Sequence, residues 1–131
     1  MKYLLDTDTC IYWLKGRQSV RDRLLAVGWE QIAICVITAS ELYYGAYNSS
    51  YVLENLTRAS LFIGQLPVLA LSDIALRKFG ELKAELRKSG QLIADFDLLI
   101  ASVALTENRI LVTNNTRHCK RITELKLENW A

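Results

Sequence analysis

Short apolar runs alternate with amphipathic stretches along the 131-residue chain. The runs with strand character are brief, aliphatic and ended by polar residues; they lie at 3–5, 31–37, 68–71, 110–112 and 125–127. Apolar residues at helical spacing fill the segments between them, at 10–14, 20–27, 38–44, 52–65, 96–105 and 116–121. This alternation predicts an α/β sandwich with a central, mostly parallel sheet of four to five strands.

The sequence predicts where three of the helices begin. Ser72 or Asp73 caps a helix that ends at a Ser-Gly pair, and its inward stripe consists of Leu76, Phe79, Leu82 and Leu86. Thr38 and Glu41 have the spacing of a capping box, which predicts a helix start there. Asp95 is the expected cap of the helix at 96–105, which is apolar on every side and should therefore lie at the centre of the fold.

Composition bounds the class of protein. Half of the residues (51%) are hydrophobic and only one is proline, which fits a single folded domain over residues 1–131 and argues against disorder. Cys10, Cys35 and Cys119 are odd in number and widely spaced, so we expect buried free thiols rather than disulfides or a zinc site. No apolar run resembles a signal peptide or a membrane span, so the expected location is cytoplasmic, with no membrane contact.

The net charge of +2 is too small to indicate a nucleic-acid-binding protein by itself. Any polyanionic substrate must therefore be bound by a local patch. Sixteen basic and fourteen acidic residues nearly cancel, so their placement carries the information that their sum does not.

Acidic and amide side chains follow several of the predicted strands. Asp6 and Asp8 follow the first strand, Glu41 follows the second, Asn115 follows the fourth, and Asp97 lies in the first turn of the apolar helix. Ligands of a parallel sheet bind at the carboxyl ends of its strands, so these side chains are expected to converge. Carboxylate oxygens with amide or hydroxyl oxygens, and with no His or Cys expected nearby, favour a hard cation such as Mg²⁺ or Mn²⁺.

Each acid also has an ordinary structural interpretation. Asp6 and Asp8 fit a turn or a helix cap, and Glu41 fits the capping box. Asp97 is harder to explain in this way, because Asp95 already supplies the expected cap and the helix that follows is apolar. Asp97 is therefore the acid for which the sequence favours a functional role most strongly.

Four segments in this order, 3–9, 37–46, 97–101 and 111–115, resemble those of PIN-domain ribonucleases of the VapC toxin type. The resemblance covers nearly the whole chain. It implies a PIN-like three-layer sandwich, a single PIN domain over residues 1–131, and a homodimer. It also implies a metal-dependent endoribonuclease of a type II toxin–antitoxin system, inhibited by a VapB-type antitoxin, with transfer RNA such as initiator tRNA as the first candidate substrate.

The resemblance also assigns roles to residues. Asp6, Glu41 and Asp97 match the family's catalytic acids, and Asp6 and Asp97 are the expected ligands of Mg²⁺, with Mn²⁺ as an alternative. The expected supporting residues are Asp8, Asn115, Thr113 and Thr7. Many family members have Asp where this chain has Asn115, so an amide replaces one negative charge. Water attack on a phosphodiester at such a site leaves a 5′ phosphate.

Basic and aromatic side chains near these acids suggest contacts with RNA. Lys15, Arg17, Arg117 and Lys120 are the candidates for phosphate contacts, with Arg21, Arg23 and Arg121 nearby in the sequence. The alternative is that the basic residues after the first helix, and those late in the chain, only form an ordinary solvated charged surface. Tyr43, Tyr44 and Tyr47 are expected to pack against a partner protein or, less favourably, to stack on bases.

Other functions remain open at this point. Asp6 and Asp8 mimic the Asp-x-Asp pair of a haloacid dehalogenase-like phosphatase, although the lysine and downstream acids of that pattern do not follow in order. A receiver domain would need adjacent acids after the first strand and a lysine after the fifth. A PIN fold that only binds other molecules is the third alternative, and Asp6, Glu41 and Asp97 argue against it.

Overall fold

A five-stranded parallel sheet organises the chain. The computed structural model describes residues 2–131. The strands are β1 (Tyr3–Leu5), β2 (Ile32–Cys35), β3 (Val68–Leu69), β4 (Ile110–Val112) and β5 (Leu127–Glu128). Their order in the sheet is β3-β2-β1-β4-β5, and each neighbouring pair is parallel. The predicted α/β architecture with a parallel sheet is confirmed.

Helices connect successive strands. They are α1 (Thr7–Leu14), α2 (Gln18–Val27), α3 (Val36–Tyr47), α4 (Val52–Gly64), α5 (Asp73–Lys88), α6 (Asp95–Thr106) and α7 (Thr116–Cys119). A short 3₁₀ turn, Trp29–Gln31, leads into β2. The helix α2 ends at Gly28, whose φ of 95° is a conformation that residues with a side chain rarely adopt.

Alternating side chains of the strands supply two separate cores. Leu4 and Leu111 point to the face covered by α5, α6 and α7, together with most of the buried side chains of α6. Leu5, Ile34 and Val112 point to the opposite face, which α1 to α4 cover. The period of two along a strand therefore divides the apolar residues between two faces, and the result is the expected three-layer sandwich.

The helix α6 is central, as its apolar sequence predicts. Six of its residues are buried: Leu98, Ile100, Ala101, Ser102, Val103 and Ala104. Ser72 caps α5 by accepting a hydrogen bond from the backbone N–H of Ala75 at 3.2 Å, which confirms one of the two expected caps. All three cysteines are buried free thiols, as expected.

Four expectations about local structure are wrong. Residues 36 and 37 belong to α3 and not to β2, so the capping box at Thr38 does not start a helix; Thr38 lies inside α3 and is fully buried. Ala94 is the N-cap of α6, and Asp95 instead pairs with Lys83 at 3.0 Å. Leu76 does not belong to the inward stripe of α5, because it is 47% exposed while Ala75 is buried.

The order of the strands places a crevice between β1 and β4. From β1 the chain proceeds to β2 and β3 on one side, and later to β4 and β5 on the other. Ligands of open α/β sheets bind at such a reversal, beyond the carboxyl ends of the strands. Within residues 2–131, every helix is too short or too polar to cross a membrane.

Candidate active site

Asp6 lies directly after β1 and caps α1. Its Oδ1 accepts a hydrogen bond from the backbone N–H of Thr9 at 2.8 Å, and its own N–H donates to the carbonyl oxygen of Val112 in β4 at 3.0 Å. Asp6 is 8% exposed. Burial raises the pKa of its carboxyl group above the ordinary value; hydrogen bonds from Thr113 and Thr9 oppose this rise, and the charge of Asp8 adds to it.

Asp97 is the third residue of α6 and faces the same crevice. Together with Asp6 it lines a small cavity whose other walls are Ile100, Leu111, Thr113 and Cys119. Burial raises the pKa of Asp97, and the nearby charge of Asp8 raises it further. The side-chain amide of Asn115, which donates to Oδ2 of Asp97 at 3.3 Å, lowers that pKa, as does the charge of His118.

Loops after β4 complete this side of the site. The hydroxyl oxygen of Thr113 accepts a hydrogen bond from the backbone N–H of Asn115 at 2.9 Å, which fixes the turn that brings Asn115 to Asp97. Asn114 points elsewhere, because its amide donates to the hydroxyl of Tyr12 at 3.2 Å. One of the two asparagines therefore reaches the acids and the other does not.

Glu41 lies on α3 and is hydrogen-bonded to Thr7, the residue that follows Asp6 in the sequence. The hydroxyl of Thr7 donates to Oε1 of Glu41 at 2.5 Å and lies 3.4 Å from the hydroxyl of Thr38. Glu41 lines a different cavity from Asp6 and Asp97, an apolar groove of about 290 Å³ between α1, α3 and α4. Because α3 begins before Thr38, the helix-capping interpretation of Glu41 no longer applies.

Asp8 and the basic candidates lie at the surface. Asp8 is exposed, yet its charge raises the pKa of both Asp6 and Asp97, so it contributes to the negative potential of the site. Lys15 lines the groove beside Glu41. The other exposed candidates are Arg17 at the start of α2, Arg117 in α7 and Lys120 immediately after it.

Three nearby arginines are already engaged by the protein. Arg23 pairs with Glu128 at 2.8 Å. Arg121 donates to the carbonyl oxygen of Leu92 at 2.9 Å, which anchors the loop before α6. Arg21 lies over the ring of Trp13, 5.2 Å from its centroid. These arginines hold the scaffold that surrounds the site.

The donor set fits a hard divalent cation. Within residues 2–131, no three His, Cys, Asp or Glu side chains form a ready chelating group. Asp6 and Asp97 instead offer two carboxylates, and none of the described residues forms an ion pair with either of them. Mg²⁺ is commonly held by one or two carboxylates together with waters, so two acids and an amide suffice.

Cys119 forms part of the floor of the cavity, a position that the sequence did not predict. Burial and the charges of Asp97 and Asp6 raise the pKa of its thiol to about 12, so in the absence of a metal the thiol is protonated. The carboxylates of Asp6 and Asp97 and the hydroxyl of Thr113 are the oxygen groups that line the same cavity.

Known proteins are similar to this chain in sequence and in fold. The family model described as PIN domain matches residues 3–124. A ribonuclease VapC2 of Rickettsia felis is 40% identical over 99% of this chain and 98% of its own length. The tRNA(fMet)-specific endonuclease VapC of Shigella flexneri is 35% identical over 100% of this chain and 99% of its own length.

A solved structure agrees with these relatives. In the crystal structure of VapBC2 from Rickettsia felis bound to a DNA fragment from their promoter, one chain matches this one with a TM-score of 0.92 and 38% identity, with both chains covered in full. The resemblance that the four sequence segments suggested is thereby confirmed. This chain belongs to the PIN-domain family, in the branch of the VapC ribonucleases.

Proposed function

We propose that this protein is a Mg²⁺-dependent endoribonuclease and that Asp6, Glu41 and Asp97 are its catalytic acids. The observation that carries the proposal is the pair of desolvated carboxylates, Asp6 and Asp97, which share one cavity at the reversal of strand order. Burial raises the pKa of both acids, which means that their charges lack full compensation from the protein. A bound cation would stabilise the ionised form of both carboxylates.

Asp6 and Asp97 hold the ion in this proposal. When bound, Mg²⁺ or Mn²⁺ supplies Lewis-acid chemistry that lowers the pKa of water and offsets the negative charge of the phosphate. The N–H of Thr9 fixes the carboxylate of Asp6, and the amide of Asn115 fixes that of Asp97. Exposed Asp8 adds negative charge at the entrance, which compensates in part for the amide at position 115.

Glu41 acts on the attacking water. In this proposal Glu41 accepts the proton of that water through Oε2, because the Thr7 hydroxyl donates to Oε1 and leaves Oε2 free. Water oxygen attacks phosphorus, the bond between phosphorus and the 3′ oxygen breaks, and a proton goes to that 3′ oxygen. The products are a 3′ hydroxyl and a 5′ phosphate.

The substrate and partners follow from the relatives. We propose cleavage of transfer RNA, with initiator tRNA as the first candidate, because the relative from Shigella flexneri is named as a tRNA(fMet)-specific endonuclease. A VapB-type antitoxin is the proposed inhibitor, because the matching Rickettsia felis structure is of VapBC2. The protein would act as a toxin in the cytoplasm, where that RNA is found.

Exposed tyrosines suit a protein interface. Tyr44 is 69% exposed and Tyr47 is 64% exposed, whereas Tyr43 packs against the core. Large aromatic side chains at a surface are enriched in protein contacts. They are candidates for contact with the antitoxin or with a second copy in the proposed homodimer.

A cleavage assay tests the proposed chemistry. Purified protein is incubated with transfer RNA in Mg²⁺, Mn²⁺ or EDTA, beside the variants Asp97→Asn and Asp73→Asn. Asp73 is exposed on α5 and paired with Arg77, so Asp73→Asn is the matched control. We expect cleavage with either metal, loss of cleavage in EDTA and in Asp97→Asn, and no loss in Asp73→Asn.

Other outcomes support the alternatives. Turnover of small phosphate esters without RNA cleavage would support the dehalogenase-like phosphatase. Absence of RNA cleavage with any metal, together with normal growth of cells that express the protein, would support a PIN fold that only binds. Growth arrest relieved by co-expression of the adjacent upstream reading frame would support the toxin and its antitoxin together.

A further inference from the structure

The turn that ends α1 has the hydrogen bonds of a Schellman motif. The backbone N–H of Arg17 donates to the carbonyl oxygen of Tyr12 at 2.9 Å, and the N–H of Gly16 donates to that of Trp13 at 3.0 Å. Gly16 has a φ of +81°, the left-handed conformation that this motif needs at that position. The sequence Tyr-Trp-Leu-Lys-Gly-Arg therefore turns the chain so that Arg17 returns to Tyr12.

Arg17 lies against the face of Tyr12 and is exposed to solvent. Its guanidinium carbon is 4.5 Å from the centre of the Tyr12 ring. None of the hydrogen bonds and ion pairs among residues 2–131 uses this guanidinium, whereas that of Arg23 binds Glu128 and that of Arg21 contacts the carbonyl oxygen of Trp13. Stacking on an aromatic face orients a guanidinium while its edge donors stay open.

Tyr12 connects this guanidinium to the active site. Its hydroxyl accepts a hydrogen bond from the amide of Asn114 at 3.2 Å. Asn114 stands between Thr113, which lines the cavity of the two acids, and Asn115, which donates to Asp97. The oxygen of the Asn114 amide is held in turn by Asn129 at 3.2 Å, so the amide has a fixed orientation.

We propose that Arg17 binds a phosphate of the RNA next to the one that is cleaved, and that Tyr12 and Asn114 are positioning residues for its guanidinium. This inference rests on the proposed ribonuclease function. A planar guanidinium with open edge donors is suited to a phosphate, which it binds with two hydrogen bonds. Arg17 lies in the turn that ends α1, and α1 covers the face of the sheet opposite to that covered by α6. Arg17 supplies positive charge that the acidic cavity itself lacks.

Arg17→Ala tests the contact, with Arg77→Ala as the control. Arg77 is 82% exposed on α5. Its neighbour Lys78 pairs with Glu124, and Glu124 lines a cavity together with Lys2, which precedes β1 at the opposite end of the sheet. For Arg17→Ala we expect KM for RNA to rise about three- to tenfold with kcat nearly unchanged. Arg77→Ala should leave both constants unchanged.

Salt dependence separates a phosphate contact from a structural role. Loss of one phosphate contact should lower the slope of log(kcat/KM) against log[salt] by about 0.7 to 0.9. Arg17→Lys should restore the salt slope, because the charge is kept. It should lower KM only part of the way back, because an ammonium group has no plane to lie flat on the Tyr12 ring and does not form the paired hydrogen bonds of a guanidinium with phosphate. Tyr12→Phe and Asn114→Ala should raise KM by a smaller factor, and neither should add to the effect of Arg17→Ala.

Two results would overturn the inference while the ribonuclease function stands. One is a lowered Tm of Arg17→Ala with KM and the salt slope unchanged, which would make the Arg17 contact a stabiliser of the turn alone. The other is full additivity of Asn114→Ala with Arg17→Ala, which would remove the positioning role. If Asp97→Asn cleaves RNA as fast as the unsubstituted protein, the proposed function itself fails.

Discussion

Asp6 has an observed capping role and a proposed metal-binding role, and substitutions can separate the two. Its carboxylate caps α1 through the N–H of Thr9, and in the proposed function it also holds the metal. Asp6→Asn keeps an oxygen that caps and removes the charge, whereas Asp6→Ala removes both. We expect both variants to lose RNA cleavage. Only Asp6→Ala should lose stability.

The size of this difference follows from the cap. Replacement of a capping Asp by Ala costs about 1 kcal/mol, within a range of about 0.5 to 2. Unfolding entropy is about 2.1 cal/mol/K per residue, so for 131 residues 1 kcal/mol corresponds to about 4 °C in Tm. In EDTA, the Tm of Asp6→Ala should therefore lie about 4 °C below that of Asp6→Asn, and Asp6→Asn should equal or exceed the unsubstituted protein.

pH gives a second measure of the same charge. Burial raises the pKa of Asp6, so the folded protein favours the protonated carboxyl group. The resulting contribution to the free energy of unfolding is fully present below the ordinary pKa of 3.8 and is lost as pH rises through the raised pKa. Without metal, the unsubstituted protein should thus lose stability relative to Asp6→Asn as pH rises through this window toward neutral. Added Mg²⁺ should restore stability at neutral pH in the unsubstituted protein only.

Thermal unfolding followed by circular dichroism, with and without Mg²⁺, measures these quantities. A Tm of Asp6→Asn as low as that of Asp6→Ala would refute the separation of cap and charge. Equal stabilisation of Asp6→Asn and the unsubstituted protein by Mg²⁺ would refute Asp6 as a ligand.

Three further predictions concern other parts of the chain. Thr7→Val removes the donor to Glu41 and should lower kcat about 10- to 100-fold, with a small change in Tm; an unchanged kcat would show that Glu41 needs no orientation. The thiol of Cys119, with its pKa raised to about 12, should resist a thiol reagent at pH 8 until urea unfolds the protein; rapid labelling of the folded protein at this residue would contradict its burial. Leu98 in α6 is fully buried, so Leu98→Ala should cost about 2 to 5 kcal/mol in urea unfolding, and a loss below 1 kcal/mol would show that α6 is not central.

The placement of Asp6 and Asn115 in the candidate site was predictable because it follows from strand geometry. Asp6 and Asn115 come after strands that read as short apolar runs, and parallel strands bring their carboxyl ends to one edge. Asp97 was predictable for a different reason, since a carboxylate in the first turn of an apolar helix has few structural explanations. Residue order and the burial that it implies are therefore enough to place these three side chains.

Local rules failed where tertiary contacts decide the outcome. The spacing of Thr38 and Glu41 satisfies a capping box, but α3 begins two residues earlier and both side chains turn to Thr7 on α1. A cap rule considers one helix, and this hydrogen bond joins two. The position of Cys119 in the floor of the cavity, and that of Asn114 beside Tyr12, likewise depend on elements distant in the sequence.

The mild net charge of +2 results from two opposed arrangements of charge. Asp6 and Asp97 lie in a cavity where none of the described residues forms an ion pair with them, so the fold retains uncompensated negative charge. Of the basic residues after α1, Arg21 and Arg23 are held by Trp13 and Trp130, and the guanidinium of Arg17 keeps its edge open. In the proposed function, a cation binds in the cavity and a polyanion binds at its rim. Neither attraction requires a large total charge, which is why the sum over the chain gives so little indication of the chemistry.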